Sequence, residues 1–101
     1  MIEPDKCQTI TEVRNEIDRI DKEIVTLIGT RFDYVKEIIR FKSNEEDVHA
    51  RERYNHVMQK RREWAVENNL NPDVIESIYK TMVQYFIDEQ LKMLNTNKTN
   101  L

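Results

Sequence analysis

Residues 9–42 read TITEVRNEIDRIDKEIVTLIGTRFDYVKEIIRFK, and this stretch decides the fold. Thr9 and Glu12 have the spacing of a capping box, with Thr at the N-cap and Glu three residues on. Apolar residues then recur at 10, 13, 17, 20, 24, 27/28, 34/35 and 38/39. The steps alternate three and four, which is the period of a helix with one apolar face. No proline interrupts the pattern, so a helix is expected from Ile10 to Phe41. Thirty-two residues of helix would run ~48 Å. A compact domain of this size has a radius of gyration of only ~13 Å. Such a helix overhangs any monomeric globule, and its apolar stripe needs a cover. A second copy of the chain is the simplest one.

Two further helices follow. Ser43 to Asp47 is polar and breaks the period, which predicts a loop. A second helix is expected from Ala50 to Glu67, with Tyr54, Val57, Met58, Trp64 and Ala65 on one face. Asn68 to Asp73 is the next break. Within it Asn71 suits an N-cap, Pro72 the first helical turn, and Asp73 the positive end of a helix dipole. A third helix is expected from Pro72 to Leu94, with Ile75, Ile78/Tyr79, Met82, Phe86 and Met93/Leu94 inward and a frayed polar tail beyond. The expected fold is therefore all-α, one domain over residues 1–101, with three helices and a long first helix.

Composition limits the function. With 101 residues there is no room for separate cofactor and substrate domains, and one Gly with two Pro cannot punctuate an all-β fold. The net charge is −3 and there is no basic block, so bulk nucleic-acid binding is not expected. Lys60-Arg61-Arg62 is the densest cationic cluster, and beside Glu63 and Glu67 it reads as a solvated helix face. The single Cys7 excludes an internal disulfide or a cysteine metal cage. His49 and His56 read as surface histidines rather than metal ligands. No segment is apolar enough to span a membrane and the N-terminus does not read as a signal peptide, so a soluble, cytoplasmic protein is expected.

The informative residues are the polar ones on the apolar stripes. Arg31 falls on the stripe of the first helix, between 27/28 and 34/35. A buried guanidinium needs a carboxylate, or an anionic ligand, because isolation costs several kcal/mol. Lys42 lies eleven residues on, nearly on the same face if the helix continues that far. Gln90 interrupts the stripe of the third helix. Arg14 lies about 100° around the helix from Arg31 and ~25 Å along it, so it cannot share Arg31's site on one chain; in an antiparallel dimer it could enter the other subunit's site. Gly29, the lone glycine, sits mid-helix beside Arg31 and suggests a close approach by another helix or a ligand. Each residue has a plainer reading: a core ion pair for Arg31, a satisfied amide for Gln90, a helix-end cation for Lys42. Together they suggest a cationic, water-poor pocket for a small dianion.

These residues resemble a known family. Asp5-Lys6-Cys7, the run Val13 to Asp21, Arg31 to Lys36, Phe41-Lys42, Arg51-Glu52-Arg53 and Glu89-Gln90 are together similar to the all-helical chorismate mutases. The similarity covers nearly the whole chain. Within the family, the segment at Cys7, the run Arg62 to Leu70 and the short loop after Lys42 resemble the isochorismate pyruvate lyase branch, which forms salicylate. The resemblance implies an intertwined homodimer with two shared active sites. Arg31, Lys42 and Gln90 would come from one chain and Arg14 from the other, with Arg53 a further candidate contact.

The implied substrate is a cyclohexadiene carrying a ring carboxylate and an enolpyruvyl ether with a second carboxylate. Arg31 and Arg14 would bind the carboxylates through bidentate forks. Lys42 would stabilise the ether oxygen as its bond to the ring breaks, with Gln90 donating a second hydrogen bond. Neither cofactor nor metal is implied. The branch often has Tyr where this chain has Phe86, which removes one hydroxyl from the expected pattern. A lyase with weak mutase activity, a chorismate mutase, and a non-catalytic helical dimer are the readings left open.

Overall fold

A computed structural model describes residues 1–42 and 50–99, the last three as backbone only. The loop expected at 43–47, His49, Asn100 and Leu101 lie outside the described residues. Three helices are present: α1 (Ile10–Ile38), α2 (Arg51–Glu67) and α3 (Pro72–Thr99). Short 3₁₀ turns at Pro4–Lys6 and Ile39–Phe41 flank α1. There is no strand among the described residues.

The chain divides into two units, Met1–Tyr34 and Val35–Leu101. The first is the N-terminal arm and most of α1. Its cap forms as the sequence requires, with the Glu12 amide donating to Thr9 Oγ1 at 3.1 Å. The Glu12 carboxylate accepts from the Gln8 amide, one residue beyond the usual partner. On the polar side, Arg19 donates to Glu16 at 3.0 Å and to Glu23 at 2.9 Å. The Arg19 hydrogen bond holds the Glu16 carboxyl below its ordinary pKa. The apolar stripe is uncovered: Ile10 is 63% exposed and Ile24 48%, with Val13, Ile17, Ile20, Leu27 and Ile28 also exposed. An added Cβ at Gly29 would meet nothing within 4 Å, so no close approach among the described residues explains that glycine.

The second unit holds the buried core. Ile39, Ile87 and Leu94 form a cluster flanked by Val83, Leu91 and Met93, while Val57, Met58, Ala65 and Phe86 are buried too. Each large aliphatic side chain buried this way contributes about 1.5–3 kcal/mol. α2 and α3 form a hairpin whose turn is specified residue by residue. Asn69 adopts a left-handed conformation (φ 59°). The Leu70 amide reaches back to the Ala65 carbonyl at 2.8 Å and the Asn69 amide to Val66 at 3.1 Å. This is a Schellman motif with Asn in the place usually taken by Gly. Asn71 then caps α3, its Oδ1 accepting from the amides of Asp73 at 2.8 Å and Val74 at 3.4 Å. Arg62 ties the two helices together through Asp73 at 2.8 Å and Glu76 at 3.6 Å.

Four details depart from the sequence reading. α1 tightens into a 3₁₀ turn after Ile38, because burying Ile39 against α3 is worth more than continuing the helix. α3 runs to Thr99 instead of ending at Leu94. Trp64 and Ile78, expected inward, are exposed. Lys60, Arg61 and Arg62 are all half-buried instead of forming a freely solvated face.

Candidate active site

The second unit builds one corner around the end of α1. Gln90 is only 6% exposed, which for an amide demands hydrogen-bond partners. Its Nε2 donates to the Val35 carbonyl at 2.9 Å. That bond uses one of the two N–H groups, leaving the other and the side-chain carbonyl for a ligand. Ile87 and Leu94 flank Gln90 on the same face of α3, and both pack against Ile39. Phe86 lies one turn before Gln90 and is 2% exposed, its ring tilted against Tyr85 at 5.3 Å.

Lys42 caps the 3₁₀ turn that begins at Ile39. It is extended (φ −106°, ψ 135°), and its amide donates to the Ile39 carbonyl at 3.2 Å. The face calculation that carried Lys42 around eleven residues of helix therefore fails, since the helix has ended. Lys42 is placed instead by the anchoring of Ile39 three residues earlier. Its side chain is half-buried and its ammonium forms no ion pair among the described residues.

The first unit carries the two arginines. Arg14 is exposed and forms no ion pair among the described residues, unlike Arg19, which two carboxylates hold. Arg31 is half-buried and already engaged within the chain. Arg53, near the start of α2, is exposed. Taken by itself, the first unit presents the exposed Arg14 and an Arg31 already engaged within the chain, and the second presents the Lys42 ammonium and the oriented Gln90 amide. No group of three or more His, Cys, Asp or Glu that could hold a metal occurs among the described residues.

Sequence reasoning placed Gln90 correctly on a buried face but missed its partner, because a backbone carbonyl leaves no mark in the sequence. It also missed Arg61, whose guanidinium lies over the Trp64 ring at 4.7 Å and the Tyr79 ring at 5.5 Å. The signal was present as an Arg and a Trp three residues apart on one helix, a spacing that brings side chains together.

Residues 13–91 match the family described as chorismate mutase type II. The chain belongs to that family, which is a family of enzymes. It is 38% identical over 89 residues to the isochorismate pyruvate lyase of Pseudomonas aeruginosa, an alignment covering 88% of each protein. No helix among the described residues is long and apolar enough to cross a membrane.

Proposed function

We propose that this chain is an isochorismate pyruvate lyase, acting as a homodimer whose active sites take residues from both copies. The observation that carries this reading is the 38% identity to such a lyase across 88% of each protein. The uncovered stripe from Ile10 to Ile28 supports a second copy, since a helix face this apolar is stable in water only when covered.

In this reading Arg31 and the Arg14 of the second copy bind the two carboxylates of isochorismate. The Lys42 ammonium lies at the ether oxygen, and the free N–H of Gln90 donates to the same oxygen. The hydrogen on the ring carbon bearing the hydroxyl passes to the enolpyruvyl methylene while the ring–oxygen bond breaks. The ring becomes salicylate, and the enolpyruvyl group leaves as pyruvate with that hydrogen in its methyl group. Atoms balance without water or an external acid. Charge builds on the ether oxygen as its bond breaks, so fixed donors there favour the transition state over the substrate. Holding the side chain over the ring removes the entropy of reaching that geometry.

Chorismate mutase activity is the second reading, favoured by the family match and by Phe86, which presents no hydroxyl beside Gln90. The same donors would serve a rearrangement of chorismate to prephenate. The two are separated by giving the protein each substrate and identifying the products. Salicylate and pyruvate in equal amounts from isochorismate, with a higher kcat/KM than for chorismate, supports the lyase. Prephenate as the dominant product, with isochorismate untouched, overturns it. The physiological setting expected is the cytoplasm, in a route that consumes salicylate, such as siderophore assembly.

A further inference from the structure

Lys60, Arg61 and Arg62 are consecutive on α2, and two of them are committed. Lys60 pairs with Glu63 at 3.2 Å and Arg62 with Asp73 and Glu76. Arg61 is different. Its guanidinium carbon is 4.7 Å from the Trp64 ring centroid and 5.5 Å from that of Tyr79 on α3. Its Nε is buried with no hydrogen-bond partner, and no carboxylate reaches it among the described residues. Aromatic faces attract the cation but accept none of its hydrogen bonds in the plane of the guanidinium. The group therefore keeps its strongest capacity unused, the bidentate grip on a carboxylate.

We propose that Arg61, Trp64 and Tyr79 form a second binding site, for a small aromatic carboxylate. With the Nε edge buried, the carboxylate approaches the terminal nitrogens end-on. Trp64 is 45% exposed, and its indole offers an apolar surface to the ring of the ligand. An inorganic anion would leave that surface in water. A dicarboxylate would bring a second charge for which the site has no matching cation, since Lys60 and Arg62 are already paired. The site is separate from the corner at Gln90. Tyr79 and Gln90 are eleven residues apart on α3, ~16.5 Å along its axis. If the proposed lyase reaction is correct, its aromatic product belongs to the class this site takes; the binding itself does not depend on that reading.

Trp64 is the only tryptophan, so its fluorescence reports on the site directly. Benzoate is the probe, being non-fluorescent in the tryptophan window. We expect saturable quenching by benzoate, little effect of phosphate at equal ionic strength, and binding at least about tenfold weaker in Arg61→Gln. Lys42→Ala should quench as the wild type does. Quenching that never saturates, persists in Arg61→Gln, or disappears in Lys42→Ala overturns the proposal. So does a finding that Arg61→Gln weakens self-association while benzoate has no effect, which would assign the missing carboxylate to a second copy. Should Arg61→Gln fail to fold, NMR on the wild type decides. Benzoate must then shift the Trp64 indole N–H and the Arg61 Nε–H more than resonances around Gln90, and the reverse pattern refutes the site.

Discussion

The side chain of Gln90 donates to the backbone carbonyl of Val35 at 2.9 Å, joining α3 to the last turns of α1. A buried amide that has already spent one donor has a fixed orientation, so its remaining N–H points one way. Replacing Gln90 by Met keeps the length and removes the donor. We expect a loss of about 0.5–1.5 kcal/mol in urea denaturation. Turnover should fall further than stability alone explains, because the second N–H is lost as well. Unchanged kcat in a folded Gln90→Met protein would remove this residue from the chemistry.

Lys42 should separate function from stability in the opposite way. Its ammonium supports no ion pair among the described residues. Lys42→Ala should therefore stay within about 0.5 kcal/mol of the wild type in stability. Its kcat should fall by about two orders of magnitude or more if the ammonium stabilises the breaking bond. Near-normal turnover would dismiss that role.

Acid should weaken the fold partly through Glu63. Hydrogen bonds from Lys60 and Gln59 hold its carboxyl below the ordinary value of 4.5. The unfolded chain thus takes up this proton at higher pH than the folded one. The stabilisation is complete above 4.5 and is lost as pH falls through the lower, folded value. Denaturation midpoints measured at pH 7, 4 and 3 should fall less steeply in Glu63→Gln. The pair is on the surface, so the difference is small; equal slopes would show that the pairing contributes nothing in solution.

Much of this was legible in the sequence, and the reasons are local. The Thr9–Glu12 cap, the Asn71-Pro72 start and the apolar period each depend on neighbours in the chain, so spacing reveals them. Gln90 stood out because a polar residue broke an apolar stripe. What spacing could not supply was contact at a distance. The end of α1 is set by Ile39 meeting Ile87 and Leu94, about fifty residues away. Helical spacing puts Trp64 on one face with Val57, Met58 and Ala65, yet Arg61 lies over its ring and Trp64 stays exposed. Gly29 remains without an explanation among the described residues.

The uncovered face of α1 predicts the assembly state. Sedimentation should give two copies at micromolar concentration, and Ile17→Glu with Ile24→Glu should shift the population to monomer by placing charge on the stripe. The double variant should also lose activity in parallel with dissociation. A wild-type protein that sediments as a monomer while fully active would dispose of the shared site.

The sharpest measurement mixes two inactive variants. Arg14→Ala and Lys42→Ala are each prepared, mixed in equal amounts, and allowed to exchange subunits, with exchange confirmed by mass-tagged chains. A mixed dimer regenerates one intact site from the Lys42 of one chain and the Arg14 of the other, while its second site carries both losses. Random exchange puts half the dimers in that form, so isochorismate cleavage should recover to about one quarter of the wild-type rate. Mixed dimers that form and yet release no salicylate would contradict a lyase site completed by a second copy.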